Sequence, residues 1–420
     1  MTASPDDEMW DVIIAGAGPG GTSTAIPLAE SGVRVLILER EDFPRFHIGE
    51  SLLPSAAQIV TRLGIEPDPE VFLYKGGAQF ICEETGRLQS FDFGEALPGP
   101  QRYAWQVERA KFDTLLRDRA VDVGADVRHG ISVSDISCEQ DAVRVSTDYG
   151  ELRARYFVDA TGLDRLLARK FDSSRRFDRF GKAAVFSHFS GLGDAARDEF
   201  PPKNDIRIIV IPDGWLWAIP LTNDRLSVGL VSRKSGLRRE HLDEHLERSP
   251  LFQRLIAGAR RDETKMIGNF SFENTAASGS RYTCVGDSAC FIDPVFSSGV
   301  SLAITRGLAV AEPLIAALET GTEEDPRLMM SVEESMKRGY DTFAALVYRF
   351  YNTHFVDHLI FGAPDEGSLR SGVISVLAGD VFRKENAFQD MLLQSRRHPI
   401  RSGGRDDSNS DSRSISPRSQ

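Results

Sequence analysis

Hydrophobic and polar positions along this chain change period several times, and each change marks an element. Asp11 to Ala15 is a short apolar run, Gly16-Ala17-Gly18-Pro19-Gly20-Gly21 interrupts it, Thr22 to Ser31 takes a helical spacing, and Arg34 to Leu38 is a second apolar run ending in Glu39. That succession predicts a complete βαβ unit. Gly76 to Trp105 alternates in short runs broken by Gly and Pro, which predicts sheet, and Glu108 to Val123 has the spacing of an amphipathic helix. Arg128 to Val158 alternates strongly, predicting paired strands that lead into Asp159-Ala160-Thr161-Gly162. Strands are expected at Ala183 to Phe189, Ile206 to Ile211, Trp215 to Pro220 and Leu226 to Ser232, then a helix at Arg238 to Ala257. A last strand, Tyr282 to Val285, runs into Gly286-Asp287, and a long helix follows from about Gly299 to Leu318. Residues 327–395 read as helical.

The 420 residues exceed what one hydrophobic core usually serves. The expected division is a nucleotide-binding domain over 1–320, with a substrate sheet from about 76–105 and 170–270, and a C-terminal helical region over 321–396. Beyond it lies a tail, 397–420, whose seven Ser and balanced charge between Arg401 and Gln420 predict disorder. With 41% hydrophobic and 27% charged residues the chain is neither fibrous nor wholly disordered. Its formal charge of −12 has the wrong sign for grasping phosphate backbones, so nucleic acid is not an expected partner. Cys82, Cys138, Cys284 and Cys290 form no CxxC pair and have no His at zinc-ligand spacing. They read as buried apolar thiols of a reducing compartment, and no metal is expected. Asp6, Asp7 and Glu8 do not suit a signal peptide. No stretch is expected to reach the roughly 20 apolar residues a bilayer span needs, so a cytoplasmic protein without a membrane partner is expected.

The glycine motif carries a mechanism. Gly16 permits a tight turn, Gly18 lets the backbone approach a pyrophosphate, and Gly21 allows close helix–strand packing. Glu39, 23 positions after Gly16, can accept a ribose hydroxyl and argues against a ribose 2′-phosphate. No second fingerprint follows, because Gly191-Leu192-Gly193-Asp194 lacks the third glycine.

Later motifs bear on the choice of nucleotide. Asp159-Ala160-Thr161-Gly162, Gly286-Asp287-Ser288-Ala289 followed by Asp293-Pro294, and Val107-Glu108-Arg109 with Phe112-Asp113 resemble motifs of large FAD-dependent monooxygenase-like proteins. That resemblance implies that Asp287, beside Gly286, holds the ribityl chain and that Arg109 contacts the flavin nucleotide. Within that superfamily, Phe43-Pro44-Arg45-Phe46-His47-Ile48-Gly49-Glu50-Ser51-Leu52-Leu53-Pro54, Lys75 in Leu73-Tyr74-Lys75-Gly76-Gly77-Ala78, and Trp215-Leu216-Trp217-Ala218-Ile219-Pro220 resemble the flavin-dependent halogenases over roughly residues 10–310. The resemblance implies an α/β fold: a Rossmann-like FAD-binding domain of the large flavin monooxygenase type, with an inserted substrate-binding sheet and C-terminal helices. It also implies FAD supplied reduced by a separate flavin reductase, O2 as co-substrate, and chloride or bromide oxidised to hypohalous acid. Arg40 and Ser51 join the implied cofactor contacts.

Three sites carry the implied chemistry, each with a plainer alternative from the residues alone. Lys75, preceded by Val71-Phe72-Leu73-Tyr74 and followed by two glycines, suits a part-buried ammonium with a lowered pKa, or else a lysine reaching out to solvent. The family assigns it to receive the hypohalous acid. Trp215 and Trp217 alternate on one strand face, as a core aromatic stripe would, and the family uses such a pair to wall flavin from substrate. The amides of Ser298 and Gly299 open a helix and suit a halide, the alternative being a simple Ser cap. Phe296 stands where free-tryptophan halogenases have a catalytic glutamate. This departure resembles the phenol and pyrrole halogenases, many of which act on rings tethered to an acyl or peptidyl carrier protein. An FAD-dependent hydroxylase or reductase of the same superfamily is the alternative activity.

Overall fold

The computed structural model describes residues 9–99, 102–177, 179–351, 356–362 and 368–394. The tail expected to be disordered lies outside the described residues. Five strands, Tyr282–Cys284, Gly150–Asp159, Trp10–Ala15, Val35–Leu38 and Asp126–Arg128, stand side by side in that order, every pairing parallel. Val12, Ile13 and Ile14 are fully buried because both sheet faces are covered. The helices Pro19–Glu30 and Ser298–Thr320 pack together, and Val12, Ile14 and Val158 share a core cluster with Ile26 and Ile304. On the other face, Ile13, Leu36 and Phe157 meet Val143 and Val145 of the hairpin Val133–Cys138 and Val143–Thr147. Parallel strands carry their carboxyl ends to one edge, where an open α/β sheet has its crevice. Here that edge gathers the glycine loop, Glu39, Asp159 and Gly286.

The second sheet runs Arg260–Arg261, Ala183–Ser190, Arg225–Ser232, Gly214–Leu221, Ile206–Ile211, Gly77–Cys82, Arg87–Asp92. It is antiparallel except where Ile206–Ile211 lies parallel to Gly77–Cys82. The two expected contributions, about 76–105 and 170–270, thus meet in one sheet. Alternation divides its residues. Leu216, Ala218, Val228 and Leu230 pack outward with Leu242, Leu246 and Phe252, while Trp215, Trp217 and Ile219 face the main core.

Three expectations need correction. The helix expected over Arg238 to Ala257 is two, Arg239–Arg248 and Pro250–Leu255, because the Ser249 hydroxyl accepts from the Phe252 amide at 3.2 Å and Pro250 begins a new first turn. Cys138 is exposed on the hairpin rather than buried, whereas Cys284 and Cys290 are buried as expected. Finally, helix Ser298–Thr320 is long and apolar enough to cross a membrane. Yet it is a core helix, and its buried Arg306 donates to the Cys284 carbonyl at 2.6 Å and to Glu333 at 3.0 Å.

The region expected to be helical over 327–395 contains Met330–Phe350, a wide turn Val356–Ile360, Ser368–Leu377 and Ala387–Gln394. Phe343, Leu346 and Phe350 join the same apolar cluster as the parallel sheet.

Candidate active site

A cavity of about 680 Å³ lies between the carboxyl edge of the parallel sheet and the inner face of the second sheet. The three glycines of the fingerprint divide their labour there. Gly16 has φ +110°, and a Cβ on it would stand 2.3 Å from the Ala160 carbonyl oxygen. A Cβ on Gly21 would stand 2.1 Å from the Gly16 oxygen, so both positions serve loop packing. Gly18 differs, for its Cβ would meet only Arg45 Nη2, at 3.4 Å, and the residue lines the cavity. The helix beginning at Pro19 has no side-chain cap, which leaves its first amides for an anionic ligand.

Glu39 lines the cavity and holds the loop as well: its carboxylate accepts from the Ala17 amide at 2.9 Å and the Glu41 amide at 3.0 Å. Arg40 stands at the mouth, half exposed and paired with Asp164. Arg109 is buried and forks onto Asp113 at 2.8 and 3.0 Å, with further bonds to the Ile48 carbonyl at 2.6 Å and the Gly49 carbonyl at 3.4 Å. Burial pushes the Asp113 carboxyl up, but Arg109 and then Arg45 outweigh it and hold it below the usual carboxylate range. Asp287 lines the cavity, where burial raises its pKa to about 6 against the pull of Arg109. His47 is kept neutral near pH 7, its pKa lowered to about 4 by burial and then by Arg109.

Sequence reasoning missed two groups. Arg45 lines the cavity, pairs with Asp113 at 3.1 Å and overlies Phe43 at 4.7 Å. Its place inside the Phe43–Pro54 motif was the available signal. The other is Glu50, whose carboxylate meets His188 Nε2 at 2.6 Å while its second oxygen is buried without a partner. The 138 residues separating them leave no local signal.

Trp215 and Trp217 line the cavity with ring centroids 5.7 Å apart, so the aromatic stripe is both core and wall. Trp217 is pinned from two sides: its Nε1 donates to Ser227 Oγ at 3.0 Å, and its ring covers Gly229, where a Cβ would stand 2.2 Å away. Asp293 accepts from Val295 N at 3.1 Å, from Gly181 N at 2.8 Å and from the Tyr351 hydroxyl at 2.8 Å. That fixes the turn before helix Ser298–Thr320. Ser297, left-handed at φ 56°, makes no side-chain cap, so the simple Ser297 cap is not what this helix start uses. Gly299 lines the cavity, whereas the Ser298 side chain is buried away from it. Phe296 is buried among Phe80 and Phe350, at 6.4 and 5.7 Å between ring centroids.

Lys75 stands behind the cavity wall formed by Glu50 and Ser51, 1% exposed, and donates to the Leu52 carbonyl at 2.8 Å. Its ammonium lies 5.3 Å from the Phe93 ring centroid. Burial lowers its pKa to about 7, opposed by the charge of Asp205. The unfolded chain binds this proton up to about pH 10.5, so the group costs the fold stability below pH 7 and that cost fades as pH rises toward 10.5. Lys75→Met is therefore expected to melt above the parent at pH 7, with the gap narrowing toward pH 10. Melting curves across pH check this.

The family model described as tryptophan halogenase matches residues 11–101 and 85–359. The chain is 30% identical over 393 residues to the 1H-pyrrole-2-carbonyl-(peptidyl-carrier protein) brominase of Pseudoalteromonas luteoviolacea (strain 2ta16), covering 89% of this chain and 92% of that protein. It is also 30% identical over 365 residues to the tryptophan 2-halogenase of Chondromyces crocatus, covering 82% and 68%. Among solved structures, the flavin-dependent brominase Bmp2 superposes with a TM-score of 0.80 at 26% identity, covering 92% of this chain and 97% of that one.

Proposed function

Because the chain belongs to the flavin-dependent halogenase family, we propose that it installs chloride or bromide on an electron-rich phenol or pyrrole ring presented by a carrier protein. Reduced FAD from a separate reductase supplies the oxygen activation that oxidises the halide. The residues present suit that group. The Gly16–Gly21 loop takes the pyrophosphate, Glu39 a ribose hydroxyl, Asp287 the ribityl chain, and Arg45 and Arg109 the neighbouring negative charge. The unpartnered first amides of helix Ser298–Thr320, Gly299 among them, suit a halide on the cavity side. Trp215 and Trp217 would part flavin from ring, so that halide rather than the ring meets the activated oxygen and only oxidised halide reaches the ring.

The observation that carries this reading is Lys75. A primary amine buried one strand behind the cavity, with a pKa near neutrality, is costly to the fold and suited to receiving an electrophile. An electron-rich ring needs no carboxylate to help it, since a phenol or pyrrole can release its own proton, and the position of that carboxylate is the apolar Phe296. Two relatives frame the test: one named for a carrier-bound pyrrole, the other for tryptophan. Mass spectrometry of reactions with FAD, a flavin reductase and halide, over free and carrier-loaded phenols and pyrroles plus free tryptophan, should give product on the carrier-loaded rings and negligible turnover of tryptophan. Efficient tryptophan halogenation would overturn the substrate class.

The halide site has its own test. Gly299 is in the first helical turn, where proline is tolerated, so Gly299→Pro removes one amide donor while keeping the helix. Product formation should fall at least tenfold while flavin reoxidation continues at the parental rate. Unchanged halide dependence would refute the assignment.

A further inference from the structure

Lys75 belongs to a three-stranded ribbon. Phe72–Lys75 pairs antiparallel with Ala104–Val107, placing Lys75 opposite Ala104 and Leu73 opposite Gln106. On the other side of the same strand Ser51 bridges Gln106, flanked by bonds from Leu52 N to Trp105 O at 2.9 Å and from Val107 N to Glu50 O at 2.8 Å. Side chains opposite one another share a face, so Lys75, Ala104, Gln106 and Ser51 all project on one side of the ribbon. Ala104 is the smallest of them, and over it the Lys75 side chain crosses the middle strand to reach the Leu52 carbonyl.

That face is roofed. Gly76 N donates to Lys203 O at 2.8 Å, and Gln106 Nε2 donates to Asn204 O at 3.0 Å, which brings residues 203–205 down onto it. The polar groups buried there are underused. Gln106 is fully buried, yet its amide oxygen Oε1 has no hydrogen-bond partner among the described residues. Ser51 Oγ and Asp205 Oδ1 are buried without partners as well. An orphaned buried acceptor is costly, and three of them in the neighbourhood of a buried amine mark a place suited to a hydrogen-bonding guest. Ser51 also lines the flavin-side cavity, so this space adjoins it.

We propose that Gln106 is a positioning residue for the halogenating species at Lys75. Hypohalous acid has one acceptor end and one donor. Lys75 Nζ donates to its oxygen, and its own O–H donates to Gln106 Oε1, so two fixed points hold the molecule and its halogen is directed away from both. Ser51 supplies a third polar contact on the side from which the acid enters. The Gln106 Nε2 bond to Asn204 keeps the amide from flipping, so Oε1 is the atom left to accept from a guest. No bond is made or broken in this step. The inference rests on the proposed role of Lys75.

Gln106→Met and Gln106→Glu both lose the bond to Asn204, but only Glu keeps an acceptor at this position. Product formed per flavin oxidised, free hypohalous acid trapped in solution, FAD affinity and melting temperature are measured for both variants and for Lys75→Met. Gln106→Met should lower product per flavin at least tenfold and raise trapped hypohalous acid, with FAD affinity at the parental value, while Gln106→Glu stays within threefold of the parent. Equal losses in the two variants would assign Gln106 a merely structural part and overturn the inference, as would parental yield in Gln106→Met. Should Gln106→Met fail to fold, Gln106→Leu takes its place and is read against Gln106→Glu in the same way. If Lys75→Met itself halogenates like the parent, the functional reading falls. If Lys75→Met is inactive while Gln106→Met is not, only the present inference falls.

Discussion

Lys75→Met is expected to fold, bind FAD and go on oxidising reduced flavin, yet yield no halogenated ring. Methionine keeps most of the apolar stem in its pocket beside Phe93 and removes only the nitrogen, so the Leu52 carbonyl loses a bond while packing survives. In the proposed chemistry oxygen activation belongs to the flavin and needs no amine. Oxidised halide should then escape to solvent, and its trapped amount should rise as product falls. Arginine should fail too, because its planar guanidinium is effectively never deprotonated and does not reproduce the geometry of an ammonium. A residual rate within about tenfold of the parent, only ~1.4 kcal/mol in the barrier, would make Lys75 structural.

The second large effect is expected at Gly18. Its φ of −73° suits any residue, and a Cβ there meets nothing closer than the end of Arg45 at 3.4 Å. Gly18→Val should therefore fold and melt like the flavin-free parent, while its side chain occupies the approach of the pyrophosphate. FAD affinity should fall by about 100-fold or more, ~2.7 kcal/mol. Gly21→Val should instead fail to fold, since its Cβ would stand 2.1 Å from the Gly16 oxygen. Titration of FAD against both proteins separates a cofactor glycine from a packing glycine. Normal affinity in Gly18→Val would remove the loop from the cofactor site.

The parallel sheet and its glycine loop were readable because both depend on local pattern: apolar runs buried on two faces, and a turn that steric contact reserves for glycine. Strands of the second sheet were readable individually, from alternation, but not their order, in which Ile206–Ile211 lies beside Gly77–Cys82 across more than a hundred residues. The same distance hid the Glu50–His188 pair and the cover that residues 203–205 place over Lys75 and Gln106. Lys75 itself was suspected of partial burial from its apolar neighbours. Its complete burial follows from Ala104, whose small side chain lets the lysine lie across the middle strand. Helix Ser298–Thr320 is apolar enough to span a membrane although Arg306 interrupts its sequence. Glu333, 27 residues on, answers that charge inside the fold.

The central claim is that the oxidising power reaches the substrate as halogen. It is tested most directly by the product of one carrier-loaded pyrrole or phenol, treated with the enzyme, FAD, a flavin reductase and O2, once with bromide and once with no halide. The expected product with bromide carries the bromine isotope doublet, and without halide the ring returns unchanged while reduced flavin is consumed. A hydroxylated or reduced ring, formed equally with and without halide, would contradict the account.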